Sequence, residues 1–380
     1  MKILRSTHTV NPALGGPIES IKQSSAALLR RGHEVEIVSL DAPDDPWVRD
    51  APVRVHALGP GLGSYGYSSQ FSRWIKEHRA EFDAVIVHGV WQYSSFGVWR
   101  ALAGTTTPYF VFPHGMLDPW FKRTYPAKHF KKLLYWPWGE YRVLRDAAAV
   151  LFTSDEERRL ARESFRLYRC KEVVVNYGTA APANLESARQ VFFEAFPNLR
   201  GQRILLFLGR LHEKKGCDLL IEAFSKIGNS SEQVHLVMAG PCAQPDYLRH
   251  LQQIAAASGD LISFPGMLTG DVKWGALSAA EAFVLPSHQE NFGIAVVEAL
   301  ACGTPVLISN KVNIWREIEA DGTGYVENDD LAGTSALLAR WFATPMDTRA
   351  AMKEKAANCF ANRFEIERAT DSLLAAIANP

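Results

Sequence analysis

Short apolar, β-branched runs alternate along this chain with longer segments of helical periodicity. That alternation is typical of a parallel α/β sheet, in which each buried strand is followed by a crossover helix. Between the first two runs, Ile18–Arg31 has the spacing of an amphipathic helix and is followed by Gly32, a residue that often ends helices. The predicted strands are Lys2–Val10, Glu34–Leu40, Val53–Leu58, Ala84–His88, Tyr109–Pro113, Ala148–Thr153, Glu172–Val175, Arg203–Gly209, Val234–Ala239, Leu261–Phe264, Ala282–Leu285, Pro305–Ile308 and Gly324–Val326.

This rhythm breaks at the polar stretch Gly178–Leu199, which contains two prolines and a short helical piece and therefore predicts an interdomain linker. It restarts at Arg203 and becomes helical from Leu331 to the end. The predicted fold class is α/β: two Rossmann-like, doubly wound parallel-sheet domains over residues 1–182 and 183–360. A C-terminal helix over residues 361–380 could pack back on the first domain. Ligands would bind in a cleft faced by the carboxyl ends of the strands.

The composition is that of a globular protein, since 47% of the residues are hydrophobic and 22% are charged. Lys plus Arg and Asp plus Glu number 41 each, so no overall field favours nucleic acid as a partner. The five cysteines are scattered singly, which argues against a disulfide framework or a zinc site. No apolar run reaches the roughly 20 residues of a membrane span, and no signal peptide is evident. We therefore expect a cytoplasmic protein with at most peripheral membrane contact.

Two loops after predicted strands carry residue types that hold phosphate. Gly15 and Gly16 stand just before the first helix, where backbone N–H groups and the positive helix end attract anions. Arg210 and Lys215 lie in the loop Gly209–Gly216, and a guanidinium fork with a compact ammonium suits a diphosphate. An ordinary turn and a solvated basic loop are the respective alternatives, because neither loop has the spacing of a GxGxxG fingerprint or a P-loop.

Two carboxylates follow the predicted strand Ala282–Leu285. Glu298 would lie about one and a half turns inside a helix led by Gly293, with Glu290 in the loop before it. Carboxylates accept hydrogen bonds from paired hydroxyls without being protonated, so one could hold a sugar and the other a ribose. A capping acid plus an acid on the helix surface is the alternative.

His114 ends the run Phe112-Pro113-His114-Gly115 after another predicted strand, where ligand-facing groups concentrate. A lone histidine is otherwise more often structural. His88, at the end of the strand Ala84–His88, is a weaker candidate for the cleft.

Taken together, these residues resemble family 4 of the retaining glycosyltransferases, a group of GT-B enzymes that includes bacterial polysaccharide and lipopolysaccharide transferases. The resemblance runs over nearly the whole chain, and Asn176 and Gly178 match the family's Asn-Gly element with Tyr177 between them. Its most specific motifs are Gly-Arg-Leu…Lys-Gly at 209–216, Glu-Asn-Phe-Gly-Ile…Glu at 290–298 and Ala-Cys-Gly-Thr-Pro-Val at 301–306.

The resemblance implies how the site residues divide the binding of a nucleotide-sugar donor. Arg210 and Lys215 would bind the diphosphate and neutralise the leaving group, and Gly16, beside Gly15, would offer its amide to the distal phosphate. Glu298 would hold the ribose. The transferred hexose would be contacted by Glu290 and by the backbone of Asn291, Phe292, Gly293 and Ile294. The nucleotide base would lie on the backbone of Gly266, Met267 and Leu268. The catalytic residues would be His114, which lies against the donor sugar, with Glu290, Arg210 and Lys215.

The resemblance also implies a retaining, metal-independent hexosyltransferase whose only small-molecule requirement is its UDP-sugar substrate. Departure of the diphosphate builds positive charge on the sugar. Because no nucleophilic side chain is evident, retention fits attack by the acceptor on the same face that the diphosphate leaves. A transient nucleophile on the protein is the alternative. UDP-glucose is the favoured donor and GDP-mannose the second. The acceptor would be a saccharide or lipid-linked saccharide of bacterial polysaccharide assembly, bound on the first domain, and the linker would let the domains close. A GT-B epimerase, a phosphorylase and a non-catalytic scaffold are the rival classes.

A dense basic and aromatic segment lies between Pro119 and Arg145. Cationic side chains attract anionic headgroups, and Trp and Tyr settle at the water–lipid boundary. The segment therefore predicts weak docking at the inner face of the plasma membrane. Pro126 and Pro137 limit any helix between them to about ten residues, and an ordinary core helix with buried aromatic side chains is the alternative.

Overall fold

The computed structural model describes residues 1–14, 16–227 and 234–379. It divides the chain into two compact units, one formed by Met1–Gly178 with Ile366–Pro380 and the other by Thr179–Glu365. The boundaries between the two units therefore lie a few residues away from the predicted domain limits at 182 and 360.

Each unit is built on a parallel sheet, and every predicted strand is confirmed within a few residues. The largest difference is at β1, which ends at Ser6; further along the chain the Val10 N–H donates to the Asp41 carboxylate at 2.9 Å. The strands are β1 (Lys2–Ser6), β2 (Glu34–Ser39), β3 (Arg54–Ala57), β4 (Ala84–His88), β5 (Tyr109–Phe112), β6 (Ala149–Phe152), β7 (Glu172–Val174), β8 (Arg203–Leu208), β9 (Val234–Ala239), β10 (Ile262–Gly266), β11 (Ala282–Leu285), β12 (Val306–Ser309) and β13 (Gly324–Glu327).

The α-helices pack on the faces of these sheets. A turn of π-helix, Phe360–Phe364, follows the last helix of the second unit. The α-helices are α1 (Gly16–Arg30), α2 (Pro46–Arg49), α3 (Ser69–His78), α4 (Tyr93–Leu102), α5 (Trp120–Thr124), α6 (Pro126–Tyr135), α7 (Glu140–Arg145), α8 (Asp155–Ala161), α9 (Leu185–Ala195), α10 (Cys217–Ile227), α11 (Pro245–Ala255), α12 (Gly270–Ala279), α13 (Ile294–Ala301), α14 (Trp315–Asp321), α15 (Leu331–Ala343), α16 (Met346–Cys359) and α17 (Ile366–Ala378).

The strand order decides which loops meet in each unit. The first sheet runs β3-β2-β1-β4-β5-β6-β7 and the second β10-β9-β8-β11-β12-β13. Chain order therefore reverses between β1 and β4 in the first sheet and between β8 and β11 in the second. In open α/β sheets the crevice at such a reversal, outside the carboxyl ends of the strands, is where ligands bind.

The core of the first unit lies on both faces of its sheet, as β4 illustrates. Val85 and Val87 point to the cluster under α3 and α4, whereas Ala84 and Ile86 point to the opposite cluster, as the two-residue period of a strand requires. That second cluster includes Leu373 and other residues of α17. The C-terminal helix is therefore part of the first unit.

Ion pairs also join α17 to the residue that follows α1. The Arg31 guanidinium donates to the Glu367 carboxylate at 2.8 Å and also pairs with Asp371.

The prediction of a linker over Gly178–Leu199 is wrong for most of that stretch. Helix α9 lies within it and packs on α12 of the second unit through Ala188 and Phe192, which are buried. Gly275 of α12 allows this approach, because a Cβ there would lie 2.1 Å from the Ala188 carbonyl oxygen. The stretch looked polar because α9 exposes its other face, and only packing shows what its apolar residues contact.

Candidate active site

The loops after β8 and β11 are joined where the strand order of the second sheet reverses. The Lys214 carbonyl accepts from the His288 N–H at 2.8 Å and from the Ser287 hydroxyl at 3.0 Å. Gly216 has φ +64 and stands so close to Pro286 that a Cβ would lie 2.3 Å from the Pro286 carbonyl oxygen. Glycine at this position therefore lets two predicted site loops meet.

Lys215 and Glu290, one from each of these loops, form an ion pair. Both side chains are mostly buried, with 16% and 20% of their area exposed. Burial, followed by the charges of Lys214 and Arg210, lowers the pKa of Lys215, while the contacting carboxylate opposes this by favouring the ammonium form. The pair places a cation and an anion together at the carboxyl ends of two adjacent strands.

Arg210 lies on the same loop, and its side chain is exposed. Within the described part of the chain, no residue forms an ion pair or hydrogen bond with its guanidinium. Its charge acts on the pKa of Lys215, so the two cations lie within electrostatic reach of each other. Arg210 therefore lies on the same loop as Lys215, whose side chain pairs with Glu290.

Glu298 lies inside α13, with only 4% of its side chain exposed. Its Oε1 accepts from the Lys273 Nζ at 2.7 Å, and this ammonium also lies 4.4 Å from the centre of the Trp274 ring. Sequence analysis missed Lys273 because a single lysine in a helix carries no motif. The ion pair orients one carboxylate oxygen of Glu298 toward α12.

The segment between the two acids is shaped by Gly293, which has φ +76 and precedes α13. A Cβ at this glycine would lie 3.3 Å from the Glu290 Cγ. The Glu290 backbone is bonded to the loop after β12, donating to Lys311 at 2.9 Å and accepting from Asn313 at 3.0 Å. The Phe292 side chain between the two acids is buried.

The predicted base-binding segment follows β10. Gly266 has φ +78, and its carbonyl accepts from the Gly240 N–H at 2.7 Å. Met267 is 64% exposed, whereas Leu268 is half-buried. Because the sheet order is β10-β9-β8, this segment lies at the same sheet end as Lys215, two strands further out.

The other predicted site residues belong to the first unit. Gly16 is the first residue of α1, two residues earlier than the predicted start at Ile18. It therefore stands among the first N–H groups of a helix, which have no partner within the helix. Gly15 lies outside the described residues.

His114 follows β5 and adopts φ +50, which is uncommon for a residue with a side chain. The turn is held by the buried Glu157, which accepts from the Gly115 N–H at 2.6 Å and from the Thr153 N–H at 2.8 Å. Burial first, and the charge of Arg5 second, lower the pKa of His114 to about 4. The imidazole is therefore neutral at neutral pH.

His114 is linked to Arg5 through His88. Its Nε2 lies 3.0 Å from the His88 Nδ1, and the His88 Nε2 lies 3.1 Å from the Arg5 Nη1. Arg5 is on β1 and His88 ends β4, so these two residues flank the strand-order reversal of the first sheet. Sequence analysis gave His88 little weight and missed Arg5, because an arginine inside an apolar run carries no motif.

The basic and aromatic segment forms α5, α6 and α7, and its apolar side chains divide into two sets. Phe130, Leu133 and Leu134 of α6 are 62%, 41% and 64% exposed, and Trp138 after it is 69% exposed. The spacing of Phe130, Leu133 and Leu134 puts these three residues on one face of α6. Trp136, in contrast, is buried. The alternative of an ordinary core helix is therefore wrong for the exposed face and correct for Trp136.

The described ranges contain neither a metal-binding cluster nor a membrane-spanning helix. There, no group of three or more His, Cys, Asp or Glu side chains could hold a metal ion. In the same ranges, no helix is both long and apolar enough to cross a bilayer.

Two family models match this chain. One, described as glycosyl transferases group 1, matches residues 189–358, and the other, described as a glycosyl transferase 4-like domain, matches residues 15–178. The chain therefore belongs to the group 1 glycosyltransferases, as the motifs indicated.

Individual proteins are similar to this chain in sequence or in fold. The D-inositol 3-phosphate glycosyltransferase of Geodermatophilus obscurus is 32% identical over 252 residues, which are 63% of this chain and 54% of that protein. Sucrose-phosphate synthase from Thermosynechococcus elongatus has a TM-score of 0.79 at 20% identity, covering 98% of this chain and 97% of its own. HepE from Anabaena in complex with UDP-glucose has a TM-score of 0.78 at 16% identity, covering 100% of both chains. The two structures show the GT-B fold, with two parallel-sheet α/β domains.

Proposed function

We propose that this glycosyltransferase moves a hexose, glucose first, from a UDP-sugar to a saccharide or lipid-linked saccharide acceptor, with retention of the anomeric configuration. The observation that carries the proposal is the meeting of Arg210, Lys215 and Glu290 where the strand order of the second sheet reverses. UDP-glucose is favoured because HepE, which has a similar fold, has been solved with that ligand.

The two cations would act on the leaving group. Cleavage of the anomeric C–O bond leaves negative charge on the nucleotide diphosphate, and donors fixed in advance stabilise such charge most strongly. Arg210 offers a guanidinium fork and Lys215 a compact ammonium. In the ligand-free protein Lys215 is compensated by Glu290. A bound diphosphate would draw Lys215 toward phosphate and leave Glu290 to accept from hexose hydroxyls.

The remaining residues would orient the donor. Glu298, with Lys273 on one oxygen, would accept from the ribose hydroxyls, and the backbone of 266–268 would lie along the base. On the first unit, the amide of Gly16 would contact phosphate, and the neutral His114 would lie against the hexose. The leaving phosphate would then help deprotonate the acceptor hydroxyl as it attacks from the same face.

The same charges support a metal-independent reaction. A divalent cation elsewhere serves to neutralise a departing diphosphate, and here Arg210 and Lys215 would supply that charge from one loop. No organic cofactor enters this scheme.

A further part of the proposal is weak peripheral contact with an anionic membrane at the cytoplasmic face. It rests on the exposed face of Phe130, Leu133, Leu134 and Trp138. Lys128 and Lys131, both exposed, flank that face, so apolar insertion and attraction to anionic headgroups would act together. Such contact would bring the first unit to a lipid-linked acceptor.

Nucleotide release and product stereochemistry test the central proposal. The protein is incubated with UDP-glucose, UDP-galactose and GDP-mannose, and UDP or GDP release is measured with and without added saccharides. We expect release from UDP-glucose first, stimulated by acceptor, and an α-linked product by NMR, since the donor is α-linked. Turnover of GDP-mannose alone would contradict the proposal that UDP-glucose is the donor. A β-linked product would contradict the proposal that the reaction retains the anomeric configuration.

A further inference from the structure

Arg5, His88 and His114 form a series of hydrogen bonds whose polarity is set by its first member. A guanidinium has donors only, so the His88 Nε2 must accept from the Arg5 Nη1, at 3.1 Å. Neutral His88 then carries its proton on Nδ1 and donates it to the His114 Nε2, at 3.0 Å. His114 must in turn carry its own proton on Nδ1. No residue in the described ranges forms a hydrogen bond with that nitrogen.

The aromatic surroundings keep both imidazoles in this orientation. The His88 and His114 rings are 13° from parallel, which suits a hydrogen bond in a shared ring plane. The Phe112 ring lies 5.5 Å from each, at 10° and 13°. The Tyr177 ring meets His114 edge-on at 5.9 Å. A ring flip of either histidine would have to displace these neighbours.

Arg5 is poorly suited to stabilising the fold. It is 1% exposed, and its Nε and Nη2 have no hydrogen-bond partner in the described part of the chain. Its charge is not paired there with any carboxylate. A buried, unpaired cation is costly, and replacing a buried charge with an apolar side chain of similar size is often neutral or stabilising. Among the described residues, His88 is the only one that forms a hydrogen bond with the Arg5 side chain.

We propose that Arg5 is a positioning residue that acts through His88 to hold His114 in the Nδ1–H tautomer. His114 then presents an N–H donor, and not a lone pair, to a substrate oxygen such as a hexose hydroxyl. An imidazolium is excluded as well, because its Nε2–H would face the His88 Nδ1–H. His114 therefore binds the sugar without acting as a general base. This inference rests on the proposed function, which places His114 against the donor sugar.

The tautomer can be measured in the unaltered, ligand-free protein. Long-range ¹H–¹⁵N correlation spectra of the protein labelled with ¹⁵N-histidine show which ring nitrogen carries the proton, and His114→Asn assigns the signals. We expect His114 and His88 both as Nδ1–H tautomers at pH 7. A His114 Nε2–H tautomer would overturn the inference while leaving the proposed glycosyl transfer untouched.

Two variants test the route from Arg5 to His114. Arg5→Met removes the donor that sets the polarity, and His88→Phe removes the relay but keeps an aromatic ring beside Phe112. In each variant we expect His114 to become a mixture of its two neutral tautomers. Because only the Nδ1–H form would bind the sugar correctly, kcat should fall about tenfold, in proportion to the fraction of that form that remains. The melting temperature of Arg5→Met should not fall. The double variant Arg5→Met/His88→Phe should have a kcat no lower than that of His88→Phe alone, because both substitutions interrupt the same series of hydrogen bonds.

The matched control is His235→Phe, another buried histidine, which is bonded to the Ser263 hydroxyl in the second unit. It should leave the His114 signals and kcat unchanged. If Arg5→Met keeps the Nδ1–H tautomer and wild-type kcat, Arg5 has no positioning role. If the variants shift the tautomer but His114→Asn is fully active, the proposed placement of His114 at the donor fails instead.

Discussion

Lys215 and Glu290 are 75 residues apart in the chain, yet their side chains form an ion pair in the second unit. The contact exists because β8 and β11 are adjacent strands and Gly216 allows their loops to approach. Each partner compensates the other's charge at a point where both are mostly buried. Under the proposed function, a ligand that brings its own anion and hydroxyls would replace both halves of this pair.

The basic loop should carry much of the transition-state stabilisation. We expect Arg210→Ala and Lys215→Ala each to lower kcat by roughly a hundredfold or more, because both would oppose charge that develops on the leaving diphosphate. Arg210→Lys should also lower it, since the fork is lost. Lys214→Ala, on the same loop, is the control and should stay near wild type. Steady-state UDP release measures this, and near-normal turnover in both alanine variants would refute the assignment.

The two acids should separate into different kinetic effects. Glu290→Gln should lower turnover more than UDP affinity, because its proposed contact is with the hexose, whereas Glu298→Gln should mainly weaken UDP binding. Calorimetric titration with free UDP, alongside turnover of the intact donor, measures both. Equal losses of UDP affinity in the two variants would show that the roles are not divided.

The ion pair at Glu298 makes a separate prediction. Lys273→Met should lower the melting temperature, because it leaves a nearly buried carboxylate without its cation. The double variant Lys273→Met/Glu298→Gln should recover stability but not UDP affinity. Thermal unfolding with and without UDP tests this, and an unchanged melting temperature in Lys273→Met would contradict the structural role of the pair.

Acid should destabilise the first unit through its paired histidines. Burial, with the charge of Arg5, lowers the pKa of His88 and His114 below the ordinary 6.5. As pH falls below 6.5 the unfolded chain takes up these protons before the folded protein does, so stability falls with pH; above 6.5 the effect is absent. The melting temperature should drop from pH 7 to pH 5 by a few degrees more in wild type than in His88→Phe. If the melting temperatures of wild type and His88→Phe fall equally between pH 7 and pH 5, protonation of these histidines does not contribute to the acid destabilisation.

Membrane contact should be weak and depend on salt. Wild type should sediment with anionic vesicles at low salt and be released near 0.5 M salt, because screening weakens attraction to headgroups. Phe130→Ser/Leu134→Ser should reduce binding by removing exposed apolar area, and Lys128→Glu/Lys131→Glu by reversing charge. Neutral vesicles are the control. If wild type ignores anionic vesicles at low salt, the exposed face of α6 does not bind membranes.

Chelation should leave the enzyme active. The leaving-group charge is assigned to Arg210 and Lys215, so EDTA should change the initial rate by less than about twofold. Activity that disappears with EDTA and returns with magnesium would show that a cation is required.

The sequence by itself determined the strands, because short buried β-branched runs keep their pattern whatever they pack against. It also determined the two-domain α/β class and the order along the chain of the glycine-rich loop, the basic loop and the loop that carries the two carboxylates. The motifs around Arg210 and Glu290 could be recognised because their residues are consecutive in the chain.

Only the tertiary structure decided which of these residues meet. Sheet order placed Lys215 on Glu290, packing made α9 part of the second unit, and α12 brought Lys273 to Glu298. Arg5 carried no local signal, since a cation in an apolar strand gains its meaning from the strands beside it. Side-chain partners are set by distances between segments far apart in the chain, which local patterns do not encode.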